Sequence, residues 1–421
     1  MLILLLIWLA VGIWLATQRR SAGLPLAYFL GVSLVHVPGA MIHFDSEEWD
    51  FTRLGFEQTV IGMVAFLGGI IAARLAERAS ATQGHDLTPQ ALVRLERTGL
   101  YYVFIGIIVF FVVMRLNIPA VSAILLTLSS LIVVGVCLRL WVAHQQRNWL
   151  KLWLTVALLP LLTLATVIQI AFMSFSVSWL LTIGSFLFAQ SRRRLGYFLL
   201  APVVCFVGLS LFVNYIAARV EIRQLTWYQG AGLEDRLQRI AQTFRNFDWF
   251  DASNLRHRTA IEDRLNQNFF VGVAVARLES GAAEYAWGAE LSDIAIALIP
   301  RAVWPEKPIV GGGRTVVHDF TGLEFDEGTS IGAGQVFEFY VNFGRLGVIG
   351  GFLLYGWLFG WMDLSVMKYL RLGDQRLLIP FLSCVALLKP EGNLLEIVVG
   401  VAAAVIMGYY LSRFFNQYAP S

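Results

Sequence analysis

Residues 196–216 read GYFLLAPVVCFVGLSLFVNYI, twenty-one positions without a charge, directly after Ser-Arg-Arg-Arg-Leu at 191–195. About 20 apolar residues in a helix span the hydrocarbon core of a bilayer. Basic residues gathered at one end of such a span mark its cytoplasmic side. The same ruler laid along the chain finds further candidates at approximately 1–17, 24–42, 56–73, 99–114, 118–138, 152–172, 175–190, 346–364, 377–389 and 393–412. The stretch at 377–389 is the shortest and carries Pro380 in its first turn, while Pro160 and Pro202 lie inside other spans, where neighbouring helices tolerate a kink.

Composition agrees. The 421 residues are 57% apolar and only 14% charged, with a mean hydropathy of +0.66, whereas soluble domains carry roughly 25% charged residues. That excludes an ordinary cytosolic enzyme, a disordered tail and a disulfide miniprotein. With 32 basic and 29 acidic residues the net charge of +3 gives no argument for a nucleic-acid partner. Cys137, Cys205 and Cys384 all fall in apolar runs, so neither a disulfide framework nor a zinc site is expected. The reading is an all-α polytopic membrane protein of about 11 transmembrane helices with one large loop between the eighth and ninth. It divides into an N-terminal bundle at 1–216, the loop at 217–345 and C-terminal helices at 346–421.

The first span lacks the basic n-region of a cleaved signal peptide; its basic pair, Arg19 and Arg20, comes afterwards. A retained helix with its N-terminus outside is expected. In that orientation the short inner loops hold sixteen basic residues and the short outer ones only Arg53, Arg115 and Lys389. The C-terminus is then inside and the 217–345 loop outside.

That loop holds 13 basic and 17 acidic residues, about half of all the charges in under a third of the chain. Long charged loops are where binding and catalysis concentrate. Within it, GLEDRLQRIAQTFRNF places Leu233, Leu237, Ile240, Phe244 and Phe247 on one helical face, and IEDRLNQNFFVGVAVARL does the same with Ile261, Leu265 and Phe269. Two amphipathic helices that cover the membrane surface, or each other, are the plain expectation. EYAWGAELSDIAIALIP, 284–300, is too short to span and carries Glu290 and Asp293; with Tyr285, Trp287 and Trp304 nearby it reads as an interfacial helix that dips towards the bilayer and ends at Pro300.

IPRAVWPEKPIVGGGRTVVHDF, 299–320, gathers Arg301, Lys307, Arg314 and His318 around Gly311–Gly313. Glycines let backbone N–H groups approach an anion, and arginine or lysine then neutralises it. The spacing is not that of a P-loop. The anion expected at a membrane surface is a lipid diphosphate, and the alternative is a Pro/Gly-pinned loop with solvated charges. Glu338, in VFEFYVNF, must be paired or face a wet cavity; Arg345, two helical turns on, is one candidate partner. Lys389 and Glu391 either join the same cavity or cap helix ends. Glu396 lies one turn deeper. His36 and His43 read as structural. The loop has only His257 and His318 and no calcium-loop spacing, so no metal site is expected.

Many spans, one large late loop, the string IPRAVWPEKP with the following GGGR, and E-F-Y-x-N-F-G-x-x-G at the next span resemble the bacterial O-antigen polymerases and related oligosaccharide repeat-unit polymerases. The resemblance implies a glycosyltransferase of the bacterial inner membrane that works without metal or other cofactor. An undecaprenyl-diphosphate-linked glycan would be the donor and the sugar hydroxyl of another lipid-linked unit the acceptor, with a chain-length regulator protein as a further partner. Under it, Arg301, Lys307 and Arg314, backed by Arg258 and Arg345, would stabilise the diphosphate leaving group. His318, Glu338, Glu290 or Asp293 would be the general base. The competing expectations are an O-antigen ligase-type transferase, a flippase or transporter of lipid-linked sugars, and a non-catalytic scaffold.

Overall fold

A computed structural model describes residues 1–44, 51–78, 87–113, 119–170, 173–191, 194–224, 233–245, 247–299, 304, 306–307, 312–326 and 331–418. Among these the chain is helical, with no strand. The N-terminal elements are α1 (Leu2–Thr17), α2 (Leu24–Ile42), α3 (Phe51–Arg78), α4 (Pro89–Val113), α5 (Pro119–Ser129), α6 (Leu131–Gln145), α7 (Trp149–Ala157), α8 (Pro160–Ile170), α9 (Ser174–Gln190) and α10 (Arg194–Arg223). There follow α11 (Leu233–Arg245), α12 (Leu255–Leu265), α13 (Gln267–Glu279), α14 (Ala289–Leu298) and α15 (Gly313–Thr321), and then α16 (Gly334–Leu372), α17 (Leu378–Leu387) and α18 (Leu394–Tyr418). Eight described stretches are long and apolar enough to cross a membrane, and three shorter apolar helices lie at Leu2–Thr17, Ser174–Gln190 and Gln375–Leu387. The chain is an α-helical membrane protein.

Its spine is the pair α3 and α16. A Cβ added at Gly356 would lie 1.9 Å from the carbonyl of Phe66, so the two backbones touch, as small residues allow in membranes. One end of the spine is marked by Arg345 and Glu57, 3.2 Å apart. At the other end Arg74 approaches the fully buried Asp363 at 3.5 Å. Asp363 Oδ1 accepts from Ser21 Oγ and from the backbone N–H groups of Ala22 and Leu24, at 3.1, 2.9 and 3.2 Å. One carboxylate oxygen thus takes the first N–H of α2, at Leu24, and anchors the chain just before it. Arg345 and Asp363 are eighteen residues apart on α16, about 27 Å along a helix, close to the hydrocarbon thickness of a bilayer.

α16 does not run straight. Phe343 (φ −141°, ψ 21°) and Gly344 (φ 60°, ψ −149°) leave helical geometry. Only glycine adopts the latter conformation readily. The short limb, 334–342, folds back along the long one: a Cβ at Gly347 would meet the Phe339 carbonyl at 2.2 Å. The Phe339 ring stands 5.6 Å from Phe352 and 6.2 Å from Tyr355. Backbone N–H groups of Ala286 and Trp287 donate to the carbonyls of Val341 and Asn342, and Gly288 N donates to Asn342 Oδ1. The exposed carbonyl end of the limb is covered in this way. The sequence reading placed this region at the entry to a single span; it is a re-entrant hairpin.

The tip of that hairpin lies deep. Tyr28 donates to Gln335 Oε1 at 2.8 Å and packs on Tyr355 and Phe359, ten and fourteen residues beyond Arg345, so about 15–20 Å into the layer. Gln335 Nε2 donates to the carbonyls of Lys389 and Gly392 at 2.7 and 2.8 Å, and Pro390 packs on Gly31 of α2. The polar turn between α17 and α18, Leu388–Asn393, therefore sits in the middle of the layer. This explains the short 375–387 helix: it climbs only half way.

The expected second amphipathic helix is two helices that change direction at Asn266. α13 is apolar on all sides and buried against α3, where a Cβ at Gly272 would lie 1.7 Å from the Phe51 carbonyl. Its Asn268 Oδ1 accepts from His36 Nδ1 at 2.6 Å, and its Nδ2 donates to the His36 carbonyl at 2.7 Å. His36 thus serves as a buried joint between α2 and α13. α11 keeps its amphipathic form, with Ile240 buried against Val167, Ile168, Ala218 and Ile222.

Candidate functional site

The residues singled out in the sequence disperse. Arg301 lies outside the described residues, as does the side chain of Glu290. Lys307 Nζ donates to the carbonyls of Ala297 and Ile299, both at 3.1 Å, and so covers the end of α14. Arg314 donates to the Asp326 carbonyl at 3.2 Å and fastens a loop. His318 is exposed on α15 with Asp319 Oδ1 3.1 Å away. Arg258 lies on the exposed side of α12. Arg345 pairs with Glu57, and not with Glu338. The break at Gly344 reverses the chain between positions 338 and 345, so the two-turn spacing that would bring them together does not exist.

Two of the expected residues do meet. Asp293 of α14 and Glu338 of α16 line one cleft together with Gly312, Gly313, Asn393 and Glu396. Its volume of about 60 Å³ holds a few water molecules and no sugar ring. Glu338 Oε2 accepts from Leu394 N at 2.7 Å, Asn393 Oδ1 accepts from Ala333 N at 3.1 Å, and Lys389 Nζ donates to Glu396 Oε1 at 2.8 Å. Most of these polar atoms tie together helix ends.

A second group gathers at the same turn, and of its members the sequence reading named only Glu391. Arg219 and Arg223, one turn apart at the end of α10, and Arg264 on α12 all lie within electrostatic reach of the Tyr215 hydroxyl, and Arg219 also of Arg264. Glu391 lies within electrostatic reach of Arg219 and Arg264 and beside Ser174 at the start of α9. The geometry that assembles this group is local and specific. Asn214 Nδ2 donates to the Asp248 carbonyl at 2.7 Å, Asp248 N donates back to Asn214 Oδ1 at 3.0 Å, and Phe250 N donates to Ser210 Oγ at 3.0 Å. These bonds lay 248–250 along α10, and α12 follows at once with Arg264 at its end. Trp249 stacks on Phe206 at 5.6 Å and remains largely exposed.

Three guanidinium groups brought together attract a multiply charged anion, and their planar forks suit phosphate oxygens. Among the described residues no group of His, Cys, Asp or Glu is arranged to hold a metal ion.

A family model described as a domain of unknown function, DUF8712, matches residues 27–368. The chain belongs to that family. No curated protein and no solved structure matches it. The DUF8712 match takes in α2, the α3–α16 spine, the re-entrant limb and all three arginines of the cluster. The α17–α18 hairpin that carries Glu391 lies beyond it.

Proposed function

We propose that this protein extends a lipid-linked glycan, moving it from a polyprenyl diphosphate to the sugar hydroxyl of another lipid-linked unit, as the resemblance to repeat-unit polymerases implies. The supporting observation is the gathering of Arg219, Arg223 and Arg264 around the Tyr215 hydroxyl, with Glu391 within reach of Arg219 and Arg264. A diphosphate leaving group needs fixed cations where its charge develops, and that stabilisation is often the largest catalytic contribution. In this reading the membrane is the bacterial inner membrane, the N-terminus and the 217–345 segment are periplasmic, and the C-terminus is cytoplasmic, following the distribution of basic residues. The arginine cluster, in this reading, is the diphosphate site.

The test is deletion of the gene in its own organism, with surface glycan read on a gel and lipid-linked intermediates extracted. The reading expects the ladder of chain lengths to collapse to single repeat units. An unchanged ladder would end it. One observation favours a second reading, transport of lipid-linked sugars: half-length helices that meet at mid-depth are a feature of transporters. The same experiment separates the two, because loss of a transporter strands the units on the cytoplasmic face, whereas loss of a polymerase leaves them outside.

A further inference from the structure

We propose that Trp287, with Tyr285 beside it, is the platform on which a sugar ring of the glycan stacks, a subsite that rests on the polymerase reading above for the identity of its ligand. Trp287 holds φ 48°, a left-handed conformation that bulky residues rarely adopt. Gly288 follows at φ 89°. Three donors fix the turn: Ala286 N and Trp287 N reach the carbonyls of Val341 and Asn342 at 2.9 and 3.2 Å, and Gly288 N reaches Asn342 Oδ1 at 3.0 Å. The indole is held outward, with 74% of the residue exposed. Tyr285 and Phe343 stand 5.7 and 6.5 Å from it, tilted by 59° and 67°, so neither lies flat against it. Tyr285 is wedged on the bend of α16, its hydroxyl 3.4 Å from where a Cβ would stand on Gly344, and a Cβ at Gly288 would meet Phe343 at 3.3 Å. Backbone strain of this kind persists only where its surroundings over-determine it, and it collects at binding sites.

A pyranose offers an apolar C–H face and a rim of hydroxyls. The face matches a flat, open aromatic ring, and the rim needs fixed hydrogen-bonding groups. Both are present. Tyr340 donates to Glu279 Oε1 at 2.9 Å, the Tyr285 ring stands 6.4 Å from Tyr340, and Glu279 is exposed. Glu284, also exposed, adds to an acidic border that suits neutral hydroxyls and repels the phosphate of a lipid headgroup. A tryptophan that only marks the membrane interface gains nothing from a fixed backbone. A discrete ligand does, because a rigid aromatic loses little freedom when it binds. α14 starts directly after the platform, and its Leu291, Asp293 and Ile294 line the polar cleft. A glycan seated on Trp287 therefore lies at the head of the helix that leads to that cleft.

The experiment uses the purified full-length chain in lipid nanodiscs as wild type, Trp287→Phe and Trp287→Gly. Glycine suits a positive φ better than tryptophan does, so the second variant loses the ring and keeps the fold. The probe is a short oligosaccharide cut from the organism's own surface glycan, freed of lipid by mild acid and titrated by calorimetry. Trp287→Gly should bind it about tenfold more weakly, with an unfolding temperature equal to or above that of wild type. Trp287→Phe, which keeps a smaller face, should fall between the two. Farnesyl diphosphate, a short-chain probe of the anion site, should bind all three alike. Wild-type affinity for the oligosaccharide in Trp287→Gly, no binding by the wild type, or a parallel loss of both probes overturns the proposal. So does a Trp287 emission, taken as wild type minus Trp287→Phe, that brominated lipid quenches and the oligosaccharide leaves unmoved, since that result makes the residue a membrane anchor. If deletion of the gene leaves the ladder intact, the polymerase reading fails separately, and the platform is still decided by the titration.

Discussion

Glu338 Oε2 accepts a hydrogen bond from the backbone N–H of Leu394 at 2.7 Å, so a side chain of the re-entrant limb caps the first turn of α18. The two residues are 56 positions apart, and the contact welds two elements that both begin in the middle of the layer. A helix start buried away from water needs such a partner. The carboxylate that looked like a general base is therefore first a structural cap.

Glu338→Gln should keep that cap, since an amide oxygen still accepts. We expect wild-type thermal stability and an intact glycan ladder. Glu338→Ala should strand a buried N–H and cost about 1–3 kcal/mol, read as a lowered unfolding temperature in detergent.

Arg264→Lys retains charge but replaces a planar fork with a point charge. Chain extension should fall roughly 10²–10³-fold, with farnesyl diphosphate binding reduced in step. Wild-type extension from Arg264→Lys would remove this cluster from the leaving-group site.

Arg345 and Glu57 form an exposed pair, 53% and 42% accessible at the side chains. Such pairs contribute about 0–1 kcal/mol. Arg345→Ala should leave both the unfolding temperature and the ladder essentially unchanged, in contrast to the diphosphate role that its place in the sequence implied.

Gly344 holds the bend of α16 at a positive φ of 60° with ψ −149°. Gly344→Ala should cost about 1–3 kcal/mol and splay the 334–342 limb. A rise in protease cleavage between 331 and 345 would report that opening.

Much of the membrane architecture was legible because apolar length is a strong signal: the stretches at 24–42 and 196–216 are helices where they were expected. The re-entrant hairpin was not. GQVFEFYVNFG is apolar enough to continue into the following span, and nothing in composition distinguishes Gly344, which bends, from Gly350, whose surroundings are open. α13 misled for a related reason: the eight-residue apolar run at 269–276, inside a charged segment, looks like a surface helix unless the glycine-lined groove on α3 is known. The arginine cluster was hidden by distance. Arg219 and Arg264 are 45 residues apart, and local density drew attention to 301–314, where the described cations cap helices and loops. Asp293 and Glu338 were found because an apolar neighbourhood makes a carboxylate conspicuous.

The pairing of α3 with α16 also dictates an order of assembly. The ribosome finishes Phe66 some 290 residues before it makes Gly356, the partner whose backbone it must touch. During that interval α13, whose Gly272 meets Phe51, is the earlier of the two helices to reach α3. A chain that stops before residue 334 thus leaves the face of Gly69, which Leu353 covers in the finished fold, without its neighbour.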